Sequence, residues 1–198
     1  MSSTRTLRSA KQALRKELKK HLKSMSSEER SKQSQTVFNK LISMDAFRDS
    51  KSLSLYMSMP GEVETNELMK YCFQFGKKCF IPHYKGDLMK MVLLENQADY
   101  DSLPLTAWNI KQPADDDVRH DAMNEDGGLD VIIVPGLGFT RDGLRLGRGR
   151  GYYDNYFRKY EEKFKKRPLL VGLSYTCQIV EDLPADEFDI KLDQVLYP

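Results

Sequence analysis

Val131-Ile132-Ile133-Val134-Pro135-Gly136-Leu137-Gly138-Phe139, resumed at Arg145-Leu146-Gly147-Arg148-Gly149-Arg150-Gly151-Tyr152-Tyr153-Asp154, reads as a strand, a glycine loop and the start of a helix. With Gly143 between its halves, the stretch holds six of the chain's twelve glycines and three arginines. Glycine lets backbone N–H groups approach an anion with no Cβ in the way, and arginine adds planar, two-pronged donors that match phosphate oxygens. The helix-compatible run that follows, through Asn155-Tyr156-Phe157-Arg158-Lys159-Tyr160, puts the loop at a helix N-terminus, where the dipole also favours negative charge. The stretch is expected to touch phosphate.

Outward from it, strand-like runs alternate with amphipathic ones. Leu7, Ala10, Leu14, Leu18 and Leu22 recur at helical spacing in a Lys/Arg-rich segment, which predicts a first helix on which Lys11 and Arg15 point the same way. On residues alone, such a basic face is more often simply solvated. Ser26 with Glu29 has the form of a capping box opening a second helix, with Val37, Phe38, Leu41 and Ile42 toward the core. Residues 53–58 read as a strand ended by the turn Pro60-Gly61. Glu62 and Glu64 then lie before a helix over 68–75 that Gly76 stops. Residues 79–82, 91–94, 169–173 and 194–197 are further strands. From 97 to 128 the chain is irregular, with Pro104, Trp108, Pro113 and Asp115-Asp116-Asp117, and a stretch this long is expected to cover a site as a lid or wall.

This alternation predicts the α/β class: a single three-layer α/β/α domain over 1–198 with a mostly parallel sheet. Ligands in such folds gather at the carboxyl ends of strands. Three connections leave such ends: the one holding Glu62, the glycine loop, and the segment after Leu173 that leads to Asp186 and Asp189.

Of 198 residues, 40% are hydrophobic and 30% charged, and no apolar run approaches the ~20 residues of a membrane helix. A soluble protein without a membrane partner is expected, and the charged N-terminus, unlike a secretory signal, suggests the cytoplasm. Cys72, Cys79 and Cys177 read as reduced core thiols, and His21, His83 and His120 lack metal-ligand spacing. The net charge of +2 does not by itself imply nucleic acid. Arg-Gly alternation occurs in disordered RNA-binding segments, but here it is short and enclosed between a strand and a helix, so no nucleic-acid partner is expected.

The loop is neither a Walker A sequence nor a dinucleotide fingerprint. Arg145, Arg148 and Arg150 can clamp a polyphosphate. Asp154, at the helix start, is placed either to hold Mg²⁺ against it or to serve as a first-turn dipole partner. Asp189 is likewise either a second oxygen ligand or an ordinary loop aspartate. Tyr152, Tyr156 and Tyr160 at i, i+4 spacing predict a packed helix face, leaving Tyr153 to reach the site.

The glycine-arginine signature, together with Ser58-Met59 to Glu62-Val63-Glu64-Thr65 and Trp108-Asn109-Ile110, resembles the 5-formyltetrahydrofolate cyclo-ligase family over nearly the whole chain. Pro60-Gly61 departs from that pattern, which has polar residues before the glutamate. The resemblance implies a Rossmann-like sheet akin to those of sugar-phosphate isomerases and CoA-transferases. It further implies ATP- and Mg²⁺-dependent conversion of 5-formyltetrahydrofolate to 5,10-methenyltetrahydrofolate by a monomer acting on small molecules. It places ATP on Lys11, Arg15, Arg145, Leu146, Gly147, Arg148, Gly149, Arg150, Gly151, Tyr152 and Tyr153. Folate falls on Met57, Glu62, Trp108 and residues 148–152, and Mg²⁺ on Asp154 and Asp189. Arg145, Arg148 and Tyr153 are the residues implied in catalysis.

Overall fold

The computed structural model describes residues 2–106 and 110–198, with side chains from Thr6 onward. Helices α1 (Ser2–Ser24), α2 (Ser27–Ile42) and α3 (Asp45–Asp49) precede β1 (Ser52–Ser54) and α4 (Asn66–Gln74). Strands β2 (Lys78–Lys85) and β3 (Leu88–Leu94) form a hairpin, followed by the short α5 (Gln97–Ser102). Then come β4 (Val131–Val134), β5 (Gly138–Phe139), β6 (Arg145–Leu146), α6 (Tyr152–Phe164), β7 (Leu169–Leu173) and β8 (Gln194–Leu196).

Six strands make one sheet in the order β3-β2-β1-β4-β7-β8, parallel throughout except for the β2/β3 hairpin. β4 lies inside it, with Ile132 opposite Leu170 and Ile133 opposite Val171. Successive side chains of a strand point to opposite faces. Val131 and Ile133 accordingly pack with Val37, Leu41, Leu68 and Cys72 of α2 and α4, while Ile132 and Val134 pack with Tyr156, Phe157 and Tyr160 of α6. Helices thus cover both faces, which is why this strand carries an unbroken apolar run. Among the described residues, no helix is long and apolar enough to cross a membrane.

Five expectations from the sequence need correction. β1 spans Ser52–Ser54 only: Leu55 N–H still donates to the Phe80 carbonyl at 3.0 Å, after which the chain leaves the sheet. The irregular stretch contains α5, started by the Asn96 side chain accepting from Asp99 N at 3.0 Å, and a 3₁₀ turn at Ala122–Asn124. A small antiparallel pair, β5 with β6, stands between β4 and the arginine loop. The packed face of α6 is formed by Tyr153, Tyr156, Phe157 and Tyr160, one step from the expected set. Tyr152 turns outward instead, its ring 5.0 Å from that of Tyr84 and its hydroxyl donating to the Gly86 carbonyl at 2.7 Å. The apolar stripe, not the tyrosine spacing, decides which side faces the sheet. At the second helix, Ser26 accepts from Glu29 N at 3.1 Å as a cap, while the Glu29 carboxylate takes Gln33.

From β1 the chain crosses to β2 on one side, and from β4 it crosses to β7 on the other. The order therefore reverses between β1 and β4. In open α/β sheets this crevice, at the strands' carboxyl ends, is where ligands bind.

Candidate active site

A cavity of about 590 Å³ opens at that crevice. The segment after β1 contributes Met57, Met59 and Glu62, the end of β2 contributes Tyr84, and the loop after β6 contributes residues 147–151. From the far side come Lys11 and Arg15 of α1, and Asp186 and Asp189 of the segment after β7. All three connections expected to reach the site do so.

The basic face of α1 is not solvated there. Arg15 Nε donates to the Gly147 carbonyl at 2.9 Å, laying the helix across the glycine loop. Gly149 has φ +102°, and a Cβ at that position would come 3.4 Å from Arg15 Cζ. At Gly147 a Cβ would stand 2.7 Å from Arg145 Nη1. At Gly149 the positive φ, more than space, calls for glycine, and at Gly147 a side chain would displace the Arg145 guanidinium.

The other cations are paired with carboxylates. Arg148 reaches across the crevice to Glu62, with Nη2 at 2.8 Å and Nε at 3.1 Å from the same oxygen. Glu62 is 7% exposed and is further held by Met59 N at 2.9 Å, within the turn at Pro60-Gly61. That turn closes through Glu62 N to the Met59 carbonyl at 2.9 Å, so the dipeptide that departs from the family pattern still presents the glutamate inward. Arg145, its side chain 6% exposed, donates to Asp154 at 2.9 Å and lies over the Tyr153 ring. Lys11 bridges Asp186 at 2.9 Å and Asp189 at 2.5 Å. Burial opposes the Lys11 charge, but the two carboxylates outweigh it and hold its pKa above the usual lysine value. The same ammonium holds Asp186 below the usual carboxylate range. Arg150 is exposed on the rim with no partner among the described residues.

Ile190 N, next in the chain to Asp189, donates to Oδ1 of Asp154 at 3.2 Å and so ties the segment carrying Asp189 to the start of α6. Among the described residues, no three Asp, Glu, His or Cys side chains cluster as a metal cage. Two carboxylates lining one cavity beside a phosphate-type loop nonetheless fit Mg²⁺ in donor type, since that ion takes one or two carboxylates and completes its shell with phosphate and water.

The apolar end is lined by Tyr56, Met57, Pro82 and Tyr84. Burial pushes the Tyr84 hydroxyl up to about 12 and drives those of Tyr56 and Tyr153 well above the usual tyrosine value, so all three stay neutral. The Tyr153 hydroxyl is buried beside that of Tyr84. Among the described lining residues there is no Ser, Thr, Cys or His, hence no alcohol, thiol or imidazole nucleophile. The expected wall is present in Ile110, Lys111 and Gln112, with the Gln112 amide bonding both the N–H and the carbonyl of Tyr84 at 3.1 Å. The Leu146 side chain packs away with Leu18 and Leu183. Trp108 lies outside the described residues. The sequence reading missed Tyr84, Gln112, Arg158 and Phe188. Tyr84 was accessible as the end of a strand parallel to β1, and Arg158 as the residue four after Asp154.

Residues 7–198 match the profile of the 5-formyltetrahydrofolate cyclo-ligase family. The chain belongs to that family. A mouse 5-formyltetrahydrofolate cyclo-ligase is 45% identical over 194 residues, covering 97% of this chain and 95% of the mouse protein. A probable 5-formyltetrahydrofolate cyclo-ligase of Caenorhabditis elegans is 38% identical, covering 96% and 94%. The solution structure of Aquifex aeolicus 5,10-methenyltetrahydrofolate synthetase superposes with a TM-score of 0.75 at 31% identity, covering 94% of this chain and 88% of that one. As a cyclo-ligase family member the protein is an enzyme, a ligase of folate metabolism working on small molecules. The crevice that Glu62 and Arg148 span is the candidate site for that activity.

Proposed function

We propose that the protein converts 5-formyltetrahydrofolate to 5,10-methenyltetrahydrofolate, with ATP cleaved to ADP and phosphate in a Mg²⁺-dependent reaction. The observation that carries this reading is the Glu62–Arg148 pair, which joins an apolar, aromatic half-cavity to a glycine-arginine half-cavity. One half suits a folate ring system and the other a triphosphate.

A formamide oxygen is a poor leaving group. It attacks the γ-phosphorus, ADP departs, and the resulting imidate-like phosphate is an activated carbon. N10 adds to that carbon and loses its proton, and the oxygen leaves as phosphate. No protein nucleophile is needed, in keeping with a lining without Ser, Thr, Cys or His among the described residues. Catalysis is positioning plus charge neutralisation. Glu62 accepts from the donor-rich edge of the pterin, with Met57, Tyr84 and Tyr152 against the rings. Arg148, released from Glu62, follows the charge on the transferred phosphoryl group, assisted by Arg150 and Arg145. Lys11, Arg15 and the N–H groups of 147–151 hold the remaining phosphates. Asp154 and Asp189 would hold Mg²⁺, which when bound neutralises phosphate charge.

Near-ultraviolet absorbance of the protein with 5-formyltetrahydrofolate and Mg²⁺ tests the reading. A methenyltetrahydrofolate band should grow with ATP and stay flat without it. A band that grows equally in both samples, or in neither, refutes it.

A further inference from the structure

Phe188 is a large side chain left 59% exposed, yet it lines the cavity. It sits against the part of α6 beyond Asp154, away from the Tyr84–Tyr152 ring pair. Tyr152 at the start of α6 faces Tyr84, whereas Phe188 is stacked on Arg158, with the guanidinium carbon 5.7 Å from the ring centroid. Six residues separate Tyr152 from Arg158, about 9 Å along the helix at 1.5 Å per residue. Arg158 lies one turn beyond Asp154, on the same face, and is held there by Nε to the Asp154 carbonyl at 3.2 Å and Nη2 to Asn155 at 2.9 Å. Phe188 N–H donates to Asp186 Oδ1 at 2.9 Å and Asp189 N–H to the Asp186 carbonyl at 3.1 Å, so a short closed turn presents the ring.

We infer that Phe188 is the platform on which the purine base of the nucleotide stacks, with Arg158 fixing the ring from its other side. The inference rests on the ATP reading above. If the γ-phosphate must meet the folate near Arg148 while Lys11, Arg15 and the glycine loop hold the other phosphates, the nucleoside lies at the far end, beyond Asp154 and Asp189. Among the described lining residues, Phe188 is the aromatic ring at that end. Stacking on an aromatic face tolerates different bases, and its loss weakens binding without touching the phosphates.

Calorimetric titration of wild type, Phe188→Ala and Phe188→Tyr with a non-hydrolysable Mg²⁺-ATP analogue, and in parallel with Mg²⁺ tripolyphosphate, tests this. The inference predicts about tenfold weaker nucleotide binding for the alanine variant, recovery with tyrosine, and unchanged tripolyphosphate binding. In turnover, KM for ATP should rise while kcat and KM for folate hold. Equal nucleotide affinity in the alanine variant overturns the inference, as does equal weakening of both ligands, which would mark a collapsed loop. A wild type that binds neither ligand would overturn the ATP reading itself and the platform with it.

Discussion

Arg148 is the residue whose placement says most about the chemistry. Its side chain is 40% exposed but fastened to a buried carboxylate 86 positions away in sequence. Removing it should leave the fold intact and strip charge neutralisation from the transition state. Arg148→Ala is expected to lower kcat about 10²–10³-fold with little change in melting temperature, as measured by steady-state kinetics beside calorimetry. Glu62→Gln should chiefly raise KM for folate, and because the two residues share one contact their effects on kcat/KM should not add. Asp154 is paired with Arg145 and, in the proposed reaction, also holds the metal. Asp154→Asn should raise the Mg²⁺ concentration needed for half-maximal activity; an unaltered requirement would reduce Asp154 to the anchor of Arg145. None of these pairings was legible in the sequence. The glycine-arginine loop marked Arg148, and its place after a strand with the family resemblance marked Glu62, but that each is the other's partner depends on two loops meeting across the crevice.

At the level of elements, the wall over the cavity depends on one well-made ion pair. Arg119 grips both oxygens of Asp99 at 2.7 Å and adds Asp117 at 2.8 Å, tying the segment that carries Gln112 to α5. Both side chains of the Arg119–Asp99 pair are largely buried. Arg119→Ala should cost about 1–3 kcal/mol in unfolding free energy. The hydrogen bonds from Arg119 outweigh burial and keep the Asp99 carboxyl below the usual carboxylate range. A depressed carboxyl stabilises the native state fully above its unfolded value of about 4, and that stability is lost as pH falls through the lower folded value. Denaturant titrations should therefore show a constant gap between wild type and variant at neutral pH, narrowing below pH of about 4. The wall was foreseen only as an irregular stretch, because α5 is short, has no fully buried residue, and is defined by its Asn96 cap more than by periodicity. By contrast β4 was legible in full: a strand buried on both faces must be apolar at every position.

For the whole molecule, the sheet order places a folate-type cavity and a phosphate-type loop at one switch point, and α1, from the other end of the chain, closes the second side. Lys11 and Asp189 meet over 178 residues of sequence. The basic stripe of α1 looked solvated in the sequence because nothing local shows which surface it will cover. In the proposed complex the ligands bridge elements from across the chain, so their joint binding should stabilise the fold globally: at one hundred times its dissociation constant, the nucleotide analogue should raise unfolding free energy by about 2.7 kcal/mol. The central claim is that the formyl oxygen is phosphorylated, and its most direct test follows that atom. 5-Formyltetrahydrofolate labelled with ¹⁸O in the formyl group is turned over with unlabelled ATP, and the released phosphate is analysed by mass spectrometry. The account predicts one ¹⁸O in each phosphate; label appearing in water, with unlabelled phosphate, would contradict it.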